Sequence, residues 1–238
     1  MSSLVPATQV EDLVAMEPTG TAPRRAALSR ETALRTAVEL ADEAGTGVPS
    51  MRRLAERLGV EAASLYHHFR GKDVILDGML DLVFGEIELP SGDVGWRTAM
   101  RRRAVSMRAA LARHPWAISL MDSRTNPGHA TLRHHDAAIG CLRSGGFSIA
   151  GAAHAFSVLD SYIYGFTLQE LSLPFTSSDG FEDVAGSILT GLPREEFPHL
   201  TEMIVDRALK SAYAYTEEFG IGLDLILDGL QRQRDGWR

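Results

Sequence analysis

Cysteine is almost missing from this chain of 238 residues: Cys141 is the only one. No internal disulfide and no cysteine-based zinc cluster can form, and a reducing compartment is the expected home. Within "AAIGCLRSGGF" a lone thiol reads as a small core residue. Long apolar runs are missing too, since no window approaches the ~18 to 20 apolar residues of a membrane span. The N-terminal stretch carries Glu11, Asp12 and Glu17 where a leader would need a continuous apolar segment. Together these absences predict a cytoplasmic protein with no membrane contact. Period-two alternation of apolar and polar residues does not occur, which argues against strands, and there is no internal repeat. Positive charge is in deficit overall, with 24 basic against 31 acidic residues and a net charge of −7.

The deficit is uneven. Residues 1–23 hold three acids and no base; residues 24–73 hold nine bases and seven acids; residues 74–238 hold 15 bases and 21 acids. Only the middle segment is positive. Such asymmetry points to a local anion-binding module on an acidic body, because attraction to phosphates is screened within roughly 8 Å at physiological salt. With 45% hydrophobic and 23% charged residues the chain can bury a core, and its length suits two domains.

The spacing predicts an all-α protein of about ten helices. Residues 1–27 mix Ser, Thr, Pro and acids without period and read as a flexible arm. Ser29 then caps a first helix with Ala33, Leu34, Ala37, Val38, Leu40 and Ala41 on one side and Gly45 as its stop. Ser50 caps a short second helix that ends at Gly59. A third runs from about Glu61 to Phe69, and a fourth from Lys72 to Pro90. Further helices are expected over 94–113, 116–122, 128–144 and 148–173. A Pro, Ser and Gly-containing linker reaches Leu192, and two helices follow near 199–217 and 219–234.

The stretch "LGVEAASLYHHFRGKD" raises the question of chemistry. At 100° per residue Leu65, Phe69 and Ala62 share one face of the third helix, while Ala63, Ser64 and His67 lie opposite and Tyr66 and His68 flank them. Adjacent histidines cannot grip one ion through the i, i+4 geometry of metal helices, so no metal is predicted there. No nucleophile or carboxylate accompanies them for catalysis. A short helix with a merely solvated face is the plain alternative. Against it stands the whole layout: a short helix, a Gly-Val turn and a second short helix with small and flat polar residues outward is a helix-turn-helix. The second helix of such a unit fits the ~12 Å major groove of DNA. Lys72 opens the next helix, where cation and free N–H groups suit a phosphate.

The string "SMRRLAERLGVEAASLYHHFRGKDVILDGML" resembles the DNA-binding domain of the tetracycline repressor (TetR) family of bacterial regulators. Leu54, Ala55, Leu58, Gly59, Val60, Leu65, Tyr66, His68, Phe69 and Lys72 carry the likeness. Weaker similarity continues through Trp96, "SRTNP", "SGGFS", "YGFTLQE" and "FGIGLDLILDGLQRQ" to the ligand-binding core of the tetracycline-repressor class. The resemblance implies a helix-turn-helix domain over 28–73 and a ligand-binding and dimerisation domain over 74–238. Its expected partners are double-stranded operator DNA, a small-molecule effector and a second copy of the chain. DNA contacts are expected from Arg25, Ser50, Arg52, Ala62, Ala63, Ser64, Tyr66, His67, His68 and Lys72.

Register with the class places Glu88, Arg103, Met107, Asp122, Thr125, His134, Ala138 and Gln169 toward ligand; Trp116, Met121, Tyr162 and Phe166 read equally as apolar lining or as core. The class holds a magnesium chelate of tetracycline through a histidine and a partner glutamate. Asp122 and Gln169 stand at those positions here, and neutral Gln169 argues against a metal, so no cofactor is expected. Glu88 and Arg103 argue against tetracycline itself. Dimerisation also has a physical motive, because Leu223, Ile226, Leu227 and Leu230 form a stripe on the last helix and 148–173 is apolar nearly all round. The competing function is a helical enzyme using Asp122, His134, His135 and Asp136, although that cluster has no accompanying nucleophile or phosphate loop.

Overall fold

The computed structural model describes residues 28–45, 47–121, 123–174, 178–209 and 215–237. Among these there is no strand. Three helices come first: α1 (Arg30–Ala44), α2 (Met51–Leu58) and α3 (Ala62–His68). The long α4 (Lys72–Gly85) leads to α5 (Trp96–Arg113), α6 (Pro115–Met121), α7 (His129–Ser144) and α8 (Ile149–Ser172). Then come α9 (Ser178–Gly191), α10 (Pro198–Met203), which runs into a π-helical turn at Ile204–Ala208, and α11 (Tyr215–Gln233). The expected arm, and with it Arg25, lies outside the described residues.

Local chemistry explains the first three helices. The hydroxyl of Ser29 accepts from Thr32 N at 3.0 Å, and that of Ser50 accepts from Arg53 N at 3.2 Å, each satisfying one of the N–H donors that a helix start leaves unmet. Gly59 ends α2 in the left-handed region at φ 65°, where only glycine sits without strain, and the turn lets Val60 N reach Ala55 O at 3.0 Å. Leu65 and Phe69 are buried, as their shared face requires. Their transfer from water is worth about 1.5 to 3 kcal/mol each, enough to hold a seven-residue helix that could not stand alone.

Three expectations change. The fourth helix ends at Gly85, five residues early, because Glu86 N turns back to Val83 O at 3.1 Å and Ile87 dives into the core. The segment expected to be a linker before Leu192 contains α9, whose Ala185 packs with Ile204 and Ala208 in a small cluster apart from the main core. Finally, Leu223, Leu227 and Leu230 of α11 face their own subunit and are buried there, with Ile226 half-buried. The apolar residues that α11 leaves exposed are Ile221 and Leu225, and α8 exposes Val158, Leu168 and Leu171.

One hydrophobic cluster runs from α1 to α11. Its hinge is α4. On one side of that helix Gly78 lies under Leu34 of α1, so close that a Cβ there would meet the leucine methyls at 2.7 Å. On the other side Asp81 reaches α7, accepting from Thr131 N at 2.8 Å and Thr131 Oγ1 at 3.0 Å.

Candidate nucleic-acid interface and ligand cavity

The outer surface of α2 and α3 is polar and open. Tyr66 is 57% exposed, and Ala63, His67, His68, Arg70 and Lys72 are exposed beside it; Ala62 and Ser64 are half-buried. Arg30 fixes the end of α3: its guanidinium donates to His68 O at 3.2 Å and lies 4.8 Å over the Phe69 ring. Arg57 is spent on Glu43 at 2.7 Å, and Arg52 on Glu56 at 2.9 Å. Arg53, Arg70 and Lys72 have no carboxylate partner among the described residues. Those three cations flank a helix whose free face is small at its start and aromatic at its end, the arrangement by which side chains hold phosphates and approach base edges. The structure thus brings Ser50, Arg52, Ala62, Ala63, Ser64, Tyr66, His67, His68 and Lys72 onto one domain, with Ser50 engaged as a helix cap and Arg52 side-chain paired.

The second feature is a cavity of about 830 Å³ between α4, α6, α7 and α8. Leu80, Phe84, Ile118, Met121, Phe156 and Leu168 make it greasy; Asp77, Arg124, Thr131, His135, Ser157, Asp160, Ser161 and Tyr164 supply polar groups. A volume of this size and mixture suits one organic molecule of drug-like dimensions. At one end Arg124 donates to Asp77 at 2.7 Å and to Asp73 at 3.0 Å, which raises its pKa. At the other, Asp160 accepts from Arg103 at 2.6 Å and from the Tyr164 hydroxyl. Burial nevertheless pushes the Asp160 carboxyl upward. The Arg103 Nε–H also donates to His134 Nε2 at 3.2 Å. Burial first, then the Arg103 charge, drives His134 down to about 3, so its imidazole is neutral. Burial likewise lowers His135.

The expected ligand set does not converge on this space. Arg103, Met107, Trp116, His134 and Ala138 are sealed in the core behind the wall, and Phe166 is buried against Tyr162, Tyr215 and Phe219. Gln169 accepts from the Tyr215 hydroxyl at 3.1 Å, Thr125 is exposed, and Glu88 borders a separate shallow pocket beside α5. Asp122 lies outside the described residues; of the expected apolar lining, Met121 reaches the cavity. The physical reason is register. One residue along a helix is 100° of rotation, so Thr131 and His135 face the cavity while His134 and Ala138 turn inward. On α8 the wall is the row Ser157, Asp160, Ser161, Tyr164, Gly165 and Leu168. Polar residues spaced by three and four in the most apolar helix were the available signal. Among the described residues no group of three or more His, Cys, Asp and Glu side chains is placed to hold a metal ion.

A three-helix head with an open reading face, joined through one shared helix to a cavity-bearing bundle, defines a DNA-binding regulatory protein with a receptor domain. Comparison with known proteins gives the family. Residues 33–79 match the family described as bacterial regulatory proteins, tetR family, and residues 89–234 match the tetracyclin repressor-like C-terminal domain. The chain belongs to the TetR family. The transcriptional repressor DrrR1 of Streptomyces coeruleorubidus is 30% identical over 219 residues, covering 86% of this chain and 77% of that one. An HTH-type transcriptional regulator of Saccharopolyspora erythraea is 36% identical over 139 residues, and that match spans 58% of this chain and 59% of the relative. Among solved structures, Streptomyces coelicolor ActR in complex with actinorhodin superimposes with a TM-score of 0.75 at 27% identity, covering 88% of this chain and 99% of ActR. No helix among the described residues is long and apolar enough to cross a membrane.

Proposed function

We propose that this protein is a ligand-responsive transcriptional repressor that binds a palindromic operator as a homodimer and leaves it when a small molecule fills the cavity. The observation that carries this reading is the double duty of α4 and α6. Asp77, Leu80 and Phe84 of α4 line the cavity, while Gly78 of the same helix is locked against Leu34 in the DNA-binding head. Ile118 and Met121 of α6 line it too, while Trp116 of α6 donates to Asp42 of α1 at 2.7 Å and His114 bonds the same oxygen at 2.8 Å. A molecule that shifts either helix therefore shifts the head. Release follows if the shifted arrangement binds ligand better and DNA worse. The names of DrrR1 and of the ActR complex with actinorhodin support repression and an organic effector in such a domain.

Dimerisation is supported by the apolar residues that α8 and α11 leave exposed, among them Leu168 at 54% and Leu225 at 69%. Two such pairs of helices would bury that surface across a two-fold axis. Each α3 would then enter one major groove, with half-sites about one helical turn apart. The enzyme alternative gains no support: His134 is sealed and neutral, Asp136 is exposed, and only His135 of that trio reaches the cavity. The test is operator binding to the native upstream DNA across a salt series. Lys72→Ala should weaken binding about tenfold and lower the slope of log K against log salt by about one, while Tyr66→Ala weakens it at every salt. Unchanged affinity in both variants would sink the assigned face.

A further inference from the structure

We propose that the cavity selects effectors that carry a positive charge on an aromatic or polycyclic frame, with Asp160 the residue that reads the charge. This rests on the cavity being the effector site. The charged groups of its wall are few. Arg124 is shared between Asp77 and Asp73, one cation against two carboxylates. Asp160 borders the space with its side chain nine-tenths covered, and Arg103 takes one of its oxygens from the protein side. Arg103 is completely buried and does not line the cavity, so an occupant meets the carboxylate and not the guanidinium. A carboxylate accepts about four hydrogen bonds, and Arg103 and Tyr164 leave acceptor capacity on Asp160. Among the charged residues that line the cavity, two carboxylates, Asp77 and Asp160, stand with one cation, Arg124, and the Arg103 that balances Asp160 lies behind it.

The rings around Asp160 favour the same partner. His135 stands edge-on to Phe84 at 5.6 Å and to Phe156 at 5.2 Å, and Tyr164 lies one turn along α8 from Asp160. Aromatic faces attract cations and stack on flat frames. An anion of the same shape would meet the Asp160 carboxylate ahead of the Arg103 guanidinium behind it, with no unpaired cation among the described lining residues, and bringing like charges together in a covered site is costly.

Rhodamine 123 and fluorescein share a xanthene frame and carry opposite charge at pH 8, so their binding to the full-length protein, followed by fluorescence anisotropy, separates charge from shape. Rhodamine 123 should bind saturably and at least about tenfold more tightly than fluorescein, a factor equal to about 1.4 kcal/mol. Asp160→Asn should abolish that preference. Should the single variant fail to fold, Arg103→Met/Asp160→Asn removes both buried charges together and carries the same readout. Gly165 lines the cavity and a Cβ there meets nothing within 4 Å, so the flexible side chain of Gly165→Met can enter the space and should abolish binding of both dyes. Equal affinities that Gly165→Met abolishes would overturn charge selection and leave the cavity as the effector site. Absence of saturable rhodamine 123 binding, or a preference that persists without Asp160, also overturns it. Binding untouched by Gly165→Met would overturn both readings.

Discussion

His134 and His135 differ by one peptide unit and by almost everything else. His134 is fully covered and held neutral by burial and by Arg103, while His135 turns into the cavity between two phenylalanines. The sequence motif "RHHD" shows two histidines, but which one faces ligand depends on the rotation of α7 against α4 and α8, and that is decided by packing far away in sequence. The outward residues of α3 were legible for the opposite reason: in a seven-residue helix anchored by Leu65 and Phe69, the exposed positions follow from the anchors. The His134 environment has a consequence for stability. An unfolded histidine takes a proton below about pH 6.5, whereas the folded one resists until about 3. Between those values the unfolded state binds more protons, so stability falls as pH falls, by up to about 1.4 kcal/mol per pH unit and hence about 2 kcal/mol at pH 5. His134→Gln keeps an acceptor for Arg103 Nε and does not titrate; in urea melts at pH 7 and pH 5 it should flatten that part of the decline. An unaltered decline would show that His134 is not the group responsible.

At the scale of elements, boundaries set by nearby residues were readable and boundaries set by tertiary contact were not. Ser29, Ser50 and Gly59 act within three or four residues of themselves, as does Ser148, whose hydroxyl accepts from Gly151 N at 3.1 Å at the start of α8, and α1, α2, α3 and α8 fall within a residue or two of expectation. The end of α4 depends on the docking of Ile87, and α9 forms across Ser and Gly because Ala185 finds Ile204 and Ala208 beyond a second turn. The start of α7 is a further case. Gly128 precedes it with no side chain to cap the helix, and the cap comes from Asp81 on α4, whose carboxylate lies where a Cβ on residue 128 would project. Gly128→Ala and Asp81→Ala should each destabilise by about 1 to 2 kcal/mol in chemical denaturation, the usual worth of a cap. Because both act through one bond, the double variant should cost little more than the worse single one. Full additivity would mean that the cap is not shared.

Across the whole molecule, functional division and physical division do not coincide. The head is expected to end near residue 73, yet α4 continues across that point, and Leu34, Leu40, Leu54 and Phe69 belong to the same buried cluster as Met107, Leu159 and Leu227. Asp42 strengthens the tie by holding both His114 and Trp116. Head and receptor should therefore unfold together. The three tryptophans, Trp96, Trp116 and Trp237, all lie outside the head, but Trp116 touches it through Asp42 of α1, so in a Trp116→Phe variant the remaining fluorescence reports the receptor while far-ultraviolet circular dichroism reports every helix. The two urea curves should superimpose, and a separate earlier transition in the dichroism alone would contradict a common core. The shared α4 also bears on engineering. A chimaera that exchanges only the first 70 or so residues for those of a relative cuts the protein through its core, and would present a foreign leucine or isoleucine to the narrow seat over Gly78. Redirecting such a regulator to a new promoter is then a matter of transplanting the contact surface of α4 and α6 along with the reading helix, or of changing only the outward residues of α3 and leaving its anchors in place.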